Sequence, residues 1–191
     1  GNRPTKTESE PGAWSPDGKR IIFSSAQTAG NGFDLWTVNA DGTNPAKFFG
    51  AAGISESGPV YSPDGKTIAF QLSPINPNGT GCSGGIEGAE IWLINADGTN
   101  PRRLTTITNC SLDTQYSWSP DGQRIYYTSS VSTQTCRDEI FSVVANPANP
   151  VRVQYTNCYL GVSSQSPSVS PDGTQVVFQN ESVTVTLYTM Q

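Results

Sequence analysis

The stretch Trp14-Ser15-Pro16-Asp17-Gly18-Lys19-Arg20-Ile21-Ile22-Phe23 sets the architecture, because its Ser-Pro-Asp-Gly core returns three times, at Ser62, Ser119 and Ser170. The copies lie 47, 57 and 51 residues apart, and each sits between an aromatic or Val (Trp14, Tyr61, Trp118, Val169) and a short apolar run. Those runs are Ile21-Ile22-Phe23, Ile68-Ala69-Phe70, Ile125-Tyr126-Tyr127 and Val176-Val177-Phe178. The pattern predicts strand, turn, strand. Proline fixes φ at the first central turn position, the aspartate bonds to nearby backbone, and glycine takes the positive φ that closes a short bulged hairpin.

Working outward, a second block follows the first two copies nearly unchanged. It reads Asp34-Leu35-Trp36-Thr37-Val38-Asn39-Ala40-Asp41-Gly42-Thr43-Asn44-Pro45 and then Glu90-Ile91-Trp92-Leu93-Ile94-Asn95-Ala96-Asp97-Gly98-Thr99-Asn100-Pro101. A looser third version runs from Glu139 to Pro150, and Leu187-Tyr188-Thr189-Met190 begins a fourth. Each full block reads as a third strand, a turn and a fourth strand such as Ala46-Lys47-Phe48 or Arg102-Arg103-Leu104. Four strands per repeat make a propeller blade, with inner strands apolar on both sides. The expected fold is an all-β, four-bladed β-propeller of four-stranded antiparallel blades. It is read as one domain, 1–191, with repeats near 8–51, 52–107, 108–156 and 157–191 plus 1–7.

These two half-repeats resemble the TolB-type, WD-like propeller repeat family, and the resemblance covers nearly the whole chain. It implies a propeller fold and leaves function open, since propellers host binding modules, peptidase gating domains and envelope proteins alike. Family members carry more blades and an additional α/β domain. These 191 residues hold no counterpart of either, so a Tol-Pal role is not expected to carry over.

The ends carry further detail. Gly1-Asn2-Arg3-Pro4-Thr5-Lys6-Thr7 resembles Gly42-Thr43-Asn44-Pro45-Ala46-Lys47-Phe48, the lead into a fourth strand. The segment Arg3, Pro4, Thr5, Lys6, Thr7 is therefore expected to pair antiparallel with Leu187, Tyr188, Thr189 and Met190, so that both termini share the last blade. Within one chain this closes a ring, the general propeller habit and the favoured case; between chains it grows a head-to-tail fibre, the weaker alternative.

Composition narrows the chemistry. Hydrophobic residues make up 35% and charged residues 14%, the net charge is −5, and there is no histidine. Ser-His and Cys-His nucleophile pairs and imidazole acid/base chemistry are excluded, and common zinc sites lose their usual ligand. The expectation is a non-enzyme with no cofactor. The acidic balance argues against nucleic acid and anionic membrane as partners. No apolar run approaches the roughly 18 to 20 residues that span a bilayer, and the polar opening is unlike a signal peptide, so a soluble, processed chain is expected.

Four cysteines allow three pairings. Cys82 and Cys136 both fall between the second and third strands of their repeats, whereas Cys110 and Cys158 both follow the fourth. Equivalent places in successive repeats imply bridges Cys82 to Cys110 and Cys136 to Cys158, in preference to free thiols or a metal site. Each loop would contribute about 3 to 4 kcal/mol on the chain-entropy model and points to an oxidising, extracytoplasmic setting.

Several other residues are candidates. The repeated aromatics, among them Trp14, Tyr61, Trp118, Trp36 and Trp92, are read as blade packing before any sugar platform. Asp34, Glu90 and Glu139 share one repeat position, where solvent or local backbone donors are preferred over a ring holding a cation. The Asn39–Asn44 and Asn95–Asn100 blocks are hairpin turns rather than calcium loops. Asn78, Asn109 and Asn180 open formal glycosylation sequons. The long Gly/Pro-rich connection from Gln71 to Ala89 departs most from the repeat and is the candidate binding loop, with Asn76, Asn78, Thr80, Ser83 and Glu87. The functional expectation is an extracytoplasmic scaffold for protein partners, copies of itself included. A carbohydrate-binding module, served by aromatics such as Tyr159, and a propeller detached from a peptidase are the alternatives.

Overall fold

The structure, a computed structural model, describes residues 9–26, 32–75, 89–105, 115–130, 138–156, 164–180 and 185–189. Every regular element among them is a strand. The first sheet holds β1 (Ser9–Trp14), β2 (Arg20–Ser25), β3 (Asp34–Asn39) and β4 (Ala46–Phe49), and the second β5 (Ile54–Tyr61), β6 (Thr67–Pro74), β7 (Glu90–Asn95) and β8 (Arg102–Arg103). The third has β9 (Tyr116–Trp118), β10 (Arg124–Ser130), β11 (Asp138–Val144) and β12 (Arg152–Gln154), and the fourth β13 (Ser164–Val169), β14 (Gln175–Asn180) and β15 (Val185–Thr189). Strands pair antiparallel in chain order within every sheet, the up-and-down order of a propeller blade.

All four Ser-Pro-Asp-Gly turns form by one mechanism. In the first, Ser15 N–H donates to the Arg20 carbonyl at 2.8 Å and Gly18 N–H to the Ser15 carbonyl at 2.8 Å. The Ser15 hydroxyl accepts Arg20 N–H at 2.9 Å and donates to Asp17 Oδ1 at 2.7 Å, and that oxygen also accepts Lys19 N–H at 3.1 Å. Gly18, Gly65, Gly122 and Gly173 sit at φ 69°, 70°, 68° and 71°, the left-handed region that a side chain would strain. The Asn-Ala-Asp-Gly-Thr-Asn blocks are hairpin turns: Asp41 Oδ1 accepts both Thr43 N–H and the Thr43 hydroxyl, at 2.9 and 2.6 Å, and Asp97 does the same for Thr99. The two kinds of turn are tied together at one end of the sheet, with Ala40 N–H donating to the Lys19 carbonyl at 2.9 Å and Ala96 N–H to that of Lys66 at 2.8 Å.

The chain divides into two compact units, Gly1–Arg103 and Leu104–Gln191. In the first, β5 lies across β1, β2 and β3. Ile22 and Leu35 pack against Ile68, Phe70 and Ile94, with Tyr61, Phe49 and Trp92 around them, and the Phe49 and Phe70 rings stand 5.5 Å apart. The second unit repeats the arrangement, with β13 against β9, β10 and β11 and with Tyr126 and Ile140 packed on Val176 and Phe178. The middle strands of the second sheet bury both faces, as the sequence pattern predicts; Ile68, Ala69, Phe70 and Gln71 are all buried in succession. One face of the repeat nevertheless carries a polar residue in its middle strand, for Ser24, Gln71 and Thr128 are buried at equivalent positions.

A feature the sequence pattern does not predict is a bulge in the first strand of three sheets. Register shifts fall between Glu10 and Ala13, between Ser57 and Val60, and between Gln165 and Ser168. Each contains a proline (Pro11, Pro59, Pro167), which has no N–H for the ladder and is accommodated at a bulge.

Candidate functional site

The residues singled out in the sequence fall into three groups. Cys82, Cys110, Cys136 and Cys158, the loop residues Asn76, Asn78, Thr80, Ser83 and Glu87, the segment Arg3, Pro4, Thr5, Lys6, Thr7, and Tyr159 and Met190 lie outside the described residues. The strand that Leu187, Tyr188 and Thr189 were expected to supply is present as part of β15. It pairs with β14 in the register Val177 to Leu187 and Val176 to Tyr188, and among the described residues its other edge carries no strand.

The third-strand carboxylates form the second group. Each is answered by a side chain, where solvent or local backbone donors were expected. Asp34 pairs with Lys47 Nζ at 2.9 Å; Glu90 accepts Trp92 Nε1–H at 3.0 Å and faces Arg103 at 3.4 Å. Glu139 is 1% exposed and accepts the hydroxyl proton of Thr156, whose oxygen in turn accepts Ile140 N–H at 2.9 Å. Arg152 lies over the Phe141 ring at 3.6 Å from its centroid, a cation–π contact. Among the described residues no group of three or more His, Cys, Asp or Glu side chains converges to hold a metal.

The aromatics make the third group, and one of them is a correction. Tyr61 packs into the core of the first unit and Val169 into that of the second, but Trp14, at the same repeat position, is 58% exposed. Tyr61 packs against Ile22 and Leu35 of the first sheet and Val169 against Tyr126 and Ile140 of the third.

Two features were missed in the sequence. A cleft of about 670 Å³ opens between the Ser-Pro-Asp-Gly turns of the first two sheets, lined among others by Asp17, Lys19, Arg20, Asn39, Tyr61 and Asp64. The serine hydroxyl and then the backbone N–H hold Asp17 and Asp64 below the usual carboxylate range, so both stay anionic there. The cleft thus sets anionic acceptors beside the Lys19 and Arg20 cations, an arrangement suited to polar contacts. The second feature is Glu56, fully buried on β5. Its Oε1 accepts Ala51 N–H at 3.3 Å, its Oε2 has no partner, and Asp34 and Lys47 are its charged neighbours. Burial first, and the Asp34 charge with it, push its carboxyl up to about 7. Sequence periodicity alone gives no warning, since Glu56 stands in a run of small polar residues that reads as a loop.

Comparison with known proteins places this geometry. No family model matches the chain. The Tol-Pal system protein TolB of Anaeromyxobacter dehalogenans is 33% identical over 108 residues, which are 56% of this chain and 20% of that protein. Among solved structures, TolB from Acinetobacter baumannii superposes with a TM-score of 0.66 at 18% identity, over 96% of this chain and 44% of its own. A TolB-type protein from Agrobacterium tumefaciens gives 0.67 at 24%, over 96% and 58%. An oligogalacturonate lyase in complex with manganese gives 0.62 at 18%, over 92% and 48%. The chain therefore spans about a fifth of the length of the curated TolB relatives it matches. The fold is an all-β propeller, and the relatives support a TolB-type repeat family. Propeller enzymes stand among the structural neighbours as well.

Proposed function

We propose that this chain is a non-enzymatic, extracytoplasmic propeller scaffold that binds protein partners, and that copies of itself are among them, joined head to tail through the terminal segments. One observation carries the self-assembly: β15 is the open edge of a three-stranded sheet among the described residues, while the other three sheets have four strands. An exposed edge templates another strand, and residues 1–7 carry the sequence that leads into a fourth strand in the first two repeats. The likeness to TolB supports a protein-binding role, and the two expected disulfides support an oxidising compartment. The non-enzymatic reading rests on the absence of histidine and on a cleft whose carboxylates are already engaged by their own turns.

Sedimentation of the wild-type chain and of a chain lacking residues 1–8 tests the joint. Wild-type protein is expected to run as a concentration-dependent series and the truncated chain as a folded single copy. A truncated chain that associates like wild type overturns strand exchange. Incubation with oligogalacturonates and manganese is expected to release no unsaturated product, and release would overturn the non-enzymatic reading.

A further inference from the structure

The cleft beside the first two Ser-Pro-Asp-Gly turns differs from its repeat counterpart in residues that the fold does not demand. In both units the paired turns touch in the same way: a Cβ at Gly65 would stand 3.4 Å from Pro16 Cδ, and one at Gly173 would stand 3.7 Å from Pro120 Cδ. In the second unit Val169, which has no hydroxyl, takes the place of Tyr61, and Arg124, at the repeat position of Arg20, donates its Nε–H to the Ser142 hydroxyl at 2.9 Å. Arg102, Arg103 and Arg152 are engaged as well, by Asn95 and Asn100, by Glu90 and by the Phe141 ring. The exposed Arg20 guanidinium has no hydrogen bond, ion pair or ring contact among the described residues.

Two carboxylates line the same cleft and still leave Arg20 unpaired. Asp17 Oδ1 accepts the Ser15 hydroxyl and Lys19 N–H, and Asp64 Oδ1 accepts the Ser62 hydroxyl and Lys66 N–H, so both are turned into their own hairpins. Their outer oxygens have only long contacts, 4.0 Å from Asp17 Oδ2 to Lys19 Nζ and 3.9 Å from Asp64 Oδ2 to Lys66 Nζ. The Tyr61 ring packs on the core, while its hydroxyl has Arg20 and Asp17 as charged neighbours. A space of about 670 Å³ is thus lined by an unengaged guanidinium, a phenol and two carboxylates with spare acceptor capacity.

A planar guanidinium takes a carboxylate through two parallel N–H···O bonds, and the outer carboxylate oxygens suit amide N–H donors. A peptide with an acidic side chain supplies both. An acidic sugar also brings a carboxylate, but a sugar ring stacks on an open aromatic face, and the Tyr61 ring is committed to the core. We propose that this cleft binds a segment of a protein partner through one Glu or Asp side chain. Arg20 and the Tyr61 hydroxyl hold its carboxylate, and the outer oxygens of Asp17 and Asp64 accept main-chain N–H groups of the same segment. The inference rests on the protein-binding role proposed above and gives that partner its chemistry.

Fluorescence polarisation of a labelled Gly-Ser-Glu-Ser-Gly peptide with the full chain tests it. Wild-type protein is expected to bind this peptide and not the Gly-Ser-Gln-Ser-Gly analogue. Arg20→Gln is expected to weaken binding about ten-fold or more and Tyr61→Phe about three-fold. The thermal midpoint of Arg20→Gln is expected to match wild type, because the side chain it removes has no partner to lose. Equal binding of the two peptides, unaltered binding by Arg20→Gln, or no binding overturns the proposal. Acetate that displaces the probe as well as unlabelled peptide does so too, since a plain anion site is then enough, and digalacturonate that displaces it better marks a sugar site instead. A chain that binds the peptide as expected but releases unsaturated product from oligogalacturonates overturns the scaffold reading and leaves the cleft standing; loss of peptide binding alone strikes only the cleft.

Discussion

At the scale of single residues, Glu56 concentrates an unusual cost. A carboxylate with one oxygen unpartnered in the interior is favoured in its protonated form, and Asp34 beside it opposes a second negative charge. The native state therefore keeps a proton that the unfolded chain gives up between its ordinary value near 4.5 and about 7. Stability from this group is complete below the ordinary value and is lost as pH rises through about 7. Thermal midpoints measured from pH 5 to pH 8 are expected to fall for wild type and to fall less for Glu56→Gln. Equal slopes would show that Glu56 is not the proton holder. The serine, proline, aspartate and glycine of each repeat, by contrast, were legible in the sequence, because each satisfies a local demand of the turn that no distant contact can alter. Glu56 was not, since what distinguishes it is burial under β3 and β4, a property of the packed sheets.

At the scale of elements, the middle strands supply the core. Phe70 on β6 is fully buried, packs against Ile22, Leu35, Ile68 and Ile94, and meets Phe49 across the two sheets. Phe70→Ala is expected to cost about 3 to 5 kcal/mol in denaturant unfolding, as removal of a buried aromatic leaves a cavity. A cost below about 1 kcal/mol would mean that the two sheets do not share this core. Strand existence and order were readable from the short continuous apolar runs and the turn tetrapeptides. The bulges were not, although Pro11, Pro59 and Pro167 announced them; a proline beside a glycine or serine reads as a strand boundary until the neighbouring register is known. Burial of Ser24, Gln71 and Thr128 was equally hidden, for polar residues are read as facing water unless a second sheet is known to lie above them.

At the scale of the molecule, repeat symmetry told more about sites than composition did. It put Asp34, Glu90 and Glu139 at one position, where solvent or local backbone donors were expected, and their partners are instead the side chains of Lys47, of Trp92 and Arg103, and of Thr156. It did not foresee Trp14, which is 58% exposed where Tyr61, at the same repeat position, packs into a core. The same logic underlies the bridges Cys82 to Cys110 and Cys136 to Cys158. Non-reducing peptide mapping is expected to recover those two pairs, and crossed pairs or four alkylatable thiols in native protein would remove the support they lend to an extracytoplasmic setting.

The aspartate-glycine pairs of the turns bear finally on how the molecule ages. Six such pairs occur, and in an unstructured chain an Asp-Gly bond rearranges to isoaspartate when the glycine nitrogen attacks the side-chain carboxyl, most readily the neutral acid. Folding blocks both requirements. In the Ser-Pro-Asp-Gly turns the glycine N–H is held by the serine carbonyl, and in the Asn-Ala-Asp-Gly turns by the asparagine carbonyl. In all six turns the aspartate carboxyl is kept ionised by hydroxyl and backbone donors. Protein incubated for weeks at neutral pH is expected to accumulate isoaspartate, read by enzymatic methylation, far more slowly when native than when denatured. The turns that shape the sheets thus also serve as chemical preservatives of the chain they fold.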